Sequence, residues 1–208
     1  MKPIARQRLP ILNAYESYIK MNDILHFLQQ RSSVSRLEAP APNAQELEQI
    51  FQAACRAPDH AQLKPWRFLV IEGQGLDALG QLMAESLAKQ NRGFSERKLA
   101  DIAKKPHRAP MIIAVIAVTQ DFPKVPVVEQ LLTAGCVAHG ILLAANALNY
   151  DGMWRTGSIT SDATMREGLG VAEHEHIIGF LYVGSTQEPK KQQVPIDVQA
   201  YIGHWQGN

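Results

Sequence analysis

The chain has 208 residues and a formal charge of +1, from 21 Lys and Arg against 20 Asp and Glu. That length gives one domain of ordinary size with a real core, and 46% hydrophobic against 20% charged residues excludes a disordered chain. Balanced charge excludes partners that read a strong field, such as nucleic acid or an anionic membrane, and no unbroken apolar run approaches the ~18 residues of a membrane span.

Met1 to Lys20 carries Lys2, Arg6, Arg8 and Lys20 against Glu16 alone and has no apolar core of a secretory signal. We read 1–20 as a dispensable extension, with a transit peptide as the second reading, and 21–208 as the folded domain. Asn22 or Asp23 caps a short helix that leads to Arg31. Ala39-Pro40-Ala41-Pro42 breaks the chain, and Asn43 caps a helix with Leu47, Ile50, Phe51, Ala54 and Cys55 on one face. Proline at 58 ends that helix near Ala57.

Arg67 to Glu72 reads as a strand and Leu76 to about Lys89 as an amphipathic helix. Asn91 to Arg108 is polar and basic, which predicts a mobile helix-and-loop segment. Met111 to Val118, the longest clear apolar run, predicts a central strand buried on both faces. Val127 to Asn149 is a helix apolar or small on nearly every side, so it is expected to be wholly buried, partly by a second subunit. A short strand at Gly152–Arg155, a helix at Asp162–Leu169 and a last strand at Ile177–Val183 follow, then a polar tail. The order defines an α+β layered domain.

Cys55 and Cys136 lie far apart inside apolar patterns, so we read them as small buried hydrophobes in a reducing, cytoplasmic setting. Gly73-Gln74-Gly75 follows a strand and opens a helix, as a dinucleotide fingerprint does. The second apolar strand ending in an acid that such a fold needs is missing, so it reads as a turn. His174-Glu175-His176 lacks a third ligand at metal spacing and reads as a solvated loop, and no metal site is expected. Hydrolase elbows and zinc-protease motifs are absent.

Three stretches carry chemistry together: Arg31-Ser32-Ser33-Val34-Ser35-Arg36, then Arg56-Ala57-Pro58-Asp59-His60 with Lys64-Pro65-Trp66, then Trp154-Arg155-Thr156-Gly157-Ser158. Guanidinium forks and hydroxyls suit a phosphate, and flat or apolar groups suit an aromatic ring. In this order the stretches, with RAPMIIAV, AGCVAHGILLAANAL and IIGFLYVG, resemble the nitroreductase family of flavin mononucleotide enzymes, in its compact YdjA-like branch. The resemblance spans about Met21 to Gly184.

The resemblance implies a nitroreductase-like α/β sandwich, a mixed and mainly antiparallel sheet of four to five strands flanked by helices, in a homodimer with FMN at the interface. It places Arg31, Ser32 and Ser33 at the phosphate and ribityl oxygens, Arg56 and His60 along the flavin, and Trp154, Arg155 and Thr156 at the end of the site. It also implies a nicotinamide-nucleotide stretch at Ala144, Ala145, Asn146, Ala147, Leu148 and Asn149, which show no phosphate chemistry of their own. Where the family has a second arginine this chain has Ser32, which removes one fork; Lys190 or Lys191 is a candidate replacement. Lys64 stands where glutamine is common, either tuning the flavin or solvated. The activity implied is a ping-pong oxidoreductase in which NADH or NADPH reduces FMN and an electron-poor acceptor, a nitroaromatic or quinone, reoxidises it. Two alternatives remain open: a flavin-binding redox sensor or carrier without turnover, and a dehydrogenase or dehalogenase on the same fold.

Overall fold

The computed structural model describes residues 23–90, 93–188 and 193–207. Ser33–Gln187 forms one compact unit, and the described residues 23–32 with 188 and 193–207 belong to a second. The expected extension at 1–20 and the candidate Lys190 and Lys191 lie outside the described residues. In the smaller unit, residues 23–29 form helix α1, close to expectation, and Val198–Tyr201 makes one 3₁₀ turn. The tail is less polar than expected, since Val194, Ile196, Tyr201 and Trp205 are apolar and exposed.

In the larger unit, α2 spans Ala44–Ala54. The Asn43 side chain accepts hydrogen bonds from the backbone N–H groups of Gln45 and Glu46, and the Glu46 carboxylate accepts one from the Asn43 N–H at 2.9 Å. This capping box satisfies the first turn. The same carboxylate accepts the Tyr150 hydroxyl at 2.8 Å, tying the start of α2 to the chain beyond α5. The helix stops at Ala54, earlier than expected, and turn bonds from the N–H groups of Arg56 and Ala57 carry the chain to Pro58.

Strand β1 (Arg67–Glu72), α3 (Gln74–Lys89), α4 (Glu96–Ala103) and β2 (Met111–Val118) follow, then α5 (Val127–Ala147), β3 (Asp151–Arg155), α6 (Ala163–Gly168) and β4 (Glu175–Gly184). The sheet order is β1-β2-β4-β3, and all three pairings are antiparallel. The antiparallel β1–β2 pairing leaves no parallel crossover behind Gly73, which agrees with the rejected dinucleotide reading. Central β2 is buried on both faces as its sequence requires.

Alternation sorts the core into two layers. Ile112, Ala114, Ile116, Phe180 and Tyr182 face α3, α4 and α6, while Met111, Ile113, Val115, Leu181 and Val183 face α2 and α5. Between Val115 and Ile116 the register with β4 slips by one residue, so Ile178 is a bulge.

The expected helix-and-loop segment holds, over its described residues 93–108, helix α4 and a 3₁₀ turn that pack on the core. Ser95 caps α4, Ile102 and Pro106 are buried, and α4 packs closely on α3 at Gly80. A Cβ at Gly80 would meet the Ala103 carbonyl oxygen at 2.0 Å, so only glycine permits this approach. Helix α5 is buried on one side within a single chain. Its 21 residues are long and apolar enough to cross a membrane by length and composition, although no unbroken apolar run is that long. Here it is a core helix, with Gln130, Val137, Ala138, Ile141 and Ala145 among its buried residues. Its opposite side, with Val128 and Leu132 at 60% and 65% exposure, is uncovered in one chain. Cys136 lies on that side and is exposed, while Cys55 is half-buried, so neither is the buried hydrophobe expected.

Candidate functional site

The third stretch is the most ordered part of the site. Strand β3 ends at Arg155, and Gly157 turns the chain with φ 115°, open only to glycine. Trp154 and Arg155 are consecutive, so their side chains leave opposite faces of the sheet. Trp154 packs in the α2/α5 layer, and its indole N–H donates to the carbonyl of the bulged Ile178 at 3.3 Å. A Cβ at Gly179 would lie 2.1 Å from that indole nitrogen, so the glycine makes the seat for the ring.

Arg155 goes the other way. Its guanidinium carbon stands 5.2 Å from the centre of the Tyr182 ring, within cation–π range. It lines a cavity of about 300 Å³ between the sheet, α3 and α4. Trp154, Thr156, Met153, Ile159 and Phe180 contribute to the wall, and so do Lys105 and Arg108 from the 3₁₀ turn after α4. No acidic residue lines the cavity. Burial above all, then Arg108, Lys98 and Arg155, pushes the Lys105 amine below its ordinary range. Burial raises the Tyr182 phenol, and Arg155 and Arg108 oppose that rise. The Nε of Arg155 is buried without a hydrogen-bond partner among the described residues. Such a group is costly unless a ligand meets it.

The first stretch divides between the two compact units. Arg31 and Ser32, both half-buried, belong to the smaller unit, where the Arg31 N–H bonds the Leu28 carbonyl at 3.5 Å. Ser33 is exposed and begins the larger unit. The next residue, Val34, donates to the Gly152 carbonyl at 3.2 Å, and Leu37 donates to the Arg108 carbonyl at 2.7 Å. The end of the first stretch therefore runs beside β3 and the cation-bearing turn.

The second stretch lies with the α2/α5 layer. A second, open cavity of about 520 Å³ is bounded by Cys55, Arg56, Ala57, Asp59, Gln62, Lys64 and Trp66. Burial raises the Cys55 thiol while a hydrogen bond with Trp66 opposes that rise. His60 points to α5, where its Nδ1 stands 2.9 Å from a Glu129 carboxylate oxygen. Ala61, Gln62 and Lys64 all have positive φ, at 60°, 55° and 49°. Three non-glycine residues in that region within four positions store strain, held here by the Asp59 carboxylate accepting the Lys64 N–H at 2.7 Å.

One chain thus does not gather the predicted residues into one pocket. Arg155 and Thr156 line the first cavity, Arg56 and Lys64 the second, and His60 neither. The stretch from Ala144 to Asn149 ends α5 and lines neither; Asn146 is engaged there with the Tyr150 carbonyl and Asp151 carboxylate, each at 3.3 Å. Sequence reading missed Lys105 and Arg108. Their signal, a Lys-Lys-Pro-His-Arg turn before a buried strand, looks like solvated charge until α4 is seated.

His174-Glu175-His176 is not a solvated loop at its centre. Glu175 is buried and forms a two-pronged ion pair with Arg67 at 2.6 and 2.7 Å. The Arg67 hydrogen bond is the largest influence on this carboxyl and outweighs its burial, holding it at about 2. Among the described residues no group of three His, Cys, Asp or Glu side chains is placed to hold a metal ion.

An antiparallel four-stranded sheet between helical layers, with a cation-lined cavity at the end of β3, defines an α+β fold. The Nitroreductase family model matches residues 28–185. The chain belongs to the nitroreductase family. It is 40% identical over 165 residues to YdjA of Escherichia coli strain K12, covering 79% of this chain and 89% of that protein. It is 39% identical over 182 residues, 86% of this chain and 98% of the other, to a Haemophilus influenzae protein whose name places it among the NAD(P)H nitroreductases. Among solved structures, the Nitroreductase-like Family Protein from Bacillus cereus superposes with a TM-score of 0.76 at 20% identity, over 88% of this chain and 96% of that one. A sphigopyxis enzyme described as an FMN and NADPH-dependent nitroreductase superposes at 0.69 and 19% identity, over 88% and 98%.

Proposed function

We propose that this chain is a cytoplasmic, homodimeric FMN-dependent oxidoreductase that uses NADH or NADPH to reduce electron-poor acceptors such as nitroaromatics and quinones. The observation that carries this reading is the buried, unpartnered Arg155 Nε in an acid-free cavity of a nitroreductase fold. Apolar walls and unpaired cations fit a flat ring that bears negative charge, as FMN is. FMN, when bound, supplies the two-electron chemistry between nicotinamide donor and acceptor.

The residues hold and orient. Arg31, Ser32 and Ser33 supply a fork and hydroxyls for phosphate and ribityl oxygens. Arg155 and Thr156 line one half of the site, with Trp154 fixed beside them by Gly179 and Ile178. Arg56 and His60 belong to the other half, on the opposite layer of the sheet. A second copy brings such separated halves together, and the uncovered Val128 and Leu132 of α5 give it an apolar surface to meet. No side chain is assigned as acid, base or nucleophile.

The test is an absorbance spectrum of the purified protein followed by anaerobic NADH and, separately, NADPH. Flavin bands that bleach fast support the reductase and name its donor. Bands that persist favour a sensor or carrier, or another chemistry on the same fold. A colourless protein that takes up no FMN overturns the reading. Arg31→Ala is expected to lose FMN on gel filtration, and full retention would remove Arg31 from the phosphate site.

A further inference from the structure

Three cations meet in the cavity above β3 although they come from separate parts of the chain. Lys105 and Arg108 sit on the turn after α4, and Arg155 ends β3. None of the three makes an ion pair among the described residues; the four pairs found are His60–Glu129, Arg67–Glu175, Lys89–Glu85 and His107–Asp77. Lys105 and Arg108 are exposed at the rim and Arg155 is half-buried; burial first, and then the neighbouring Arg108, Lys98 and Arg155, hold the Lys105 amine below its ordinary range. Cations clustered in a cleft without acidic partners mark a candidate site for an anionic group. Apart from the Thr156 hydroxyl, the rest of the wall is flat or apolar, with Met153, Ile159, Phe180 and Tyr182 among it, which suits a ring more than a fully hydrated phosphate.

We propose that Lys105, Arg108 and Arg155 form one anion seat for a flat aromatic ligand, with Lys105 as the residue that sets its charge selectivity. Two sources share this chemistry: the electron-rich edge of the flavin ring, and an aromatic acceptor that carries an acidic substituent. The inference rests on the flavin reading for the cavity's role, and its test reads separately from that reading.

The experiment titrates the full-length protein, as purified with its FMN, with benzenesulfonate and with neutral benzenesulfonamide by calorimetry. It is repeated on Lys105→Met and Lys105→Arg, and the midpoint potential of each protein is measured. If an acceptor supplies the anion, benzenesulfonate binds at least tenfold tighter than the sulfonamide. Lys105→Met then removes that preference, and Lys105→Arg restores it. If the flavin edge supplies it, neither probe binds well, and Lys105→Met weakens binding of reduced relative to oxidised FMN about tenfold, a fall of ~30 mV for a two-electron couple. Lys105→Met that changes neither the preference nor the potential overturns the seat. A protein that takes up no FMN yet keeps the sulfonate preference sinks the flavin reading and leaves the seat standing. Flavin that bleaches with NAD(P)H beside an unmoved seat does the reverse.

Discussion

The two cavities of this chain are built by opposite means. The one above β3 stands on regular elements, since α3, α4, β3 and β4 all contribute to its wall, and what is unsettled there is charge. The one beside α2 stands on the 59–66 loop, where charge is unremarkable and what is unsettled is backbone conformation. In the first, a turn seated by α4 and the end of β3 bring cations together, while in the second a loop holds three residues at positive φ. Each cavity keeps free energy in a different form, so different substitutions release it.

The comparison breaks most completely at Gly80→Ala. The new methyl meets the Ala103 carbonyl, so α4 must move, with an expected loss of about 3 kcal/mol in denaturant unfolding. The first cavity should lose its cation-bearing turn, while the Phe51–Phe68 stack, with ring centres 4.6 Å apart, should persist.

Next comes Glu175→Gln, which leaves Arg67 without its charge partner and is expected to cost about 2–3 kcal/mol, below the range for fully buried pairs because Arg67 is partly exposed. Glu175 also gives the pH dependence. Its folded pKa of about 2 lies below the ordinary 4.5, so its contribution is present above pH 4.5 and is lost as pH falls through 2. Unfolding measured across that window should show a shallower loss in the variant than in the natural chain.

Arg155→Leu sharpens the contrast. Removing a buried, unpartnered donor should stabilise the flavin-free protein by about 1–2 kcal/mol while weakening flavin retention. A variant that lost stability and kept its flavin would show that Arg155 belongs to the core and not to the ligand. The smallest effect is Ala61→Gly, which relieves a positive φ and should add about 1 kcal/mol in thermal unfolding with little change in the first cavity.

Much of this fold was legible. Alternation and apolar runs located β1 and β2 to the residue, and Asn43 announced its helix because side-chain capping is local chemistry. The α5 run and its burial were visible, yet which side the chain itself covers was not, because apolar residues on every side do not distinguish one face from another. Residue type alone marked Arg56 and Arg155 as candidates, and each lines one of the two cavities. It was not legible at Lys105 and Arg108, whose meaning depends on Gly80 letting α4 approach α3. Nor did sequence show that Gly179 is absent side chain serving Trp154, since that contact joins two strands. The buried Glu175 was misjudged for the same reason: its partner Arg67 is distant in sequence and near only in the sheet.

The opposed directions of Trp154 and Arg155 set a limit on how this segment can change over time. Loss or gain of one residue between Gly152 and Gly157 would exchange their positions, placing an indole among cations and a guanidinium against α5. Substitutions in β3 can be absorbed singly, but a length change cannot be compensated by any single neighbour. Relatives that vary in composition along this strand should therefore still keep its residue count.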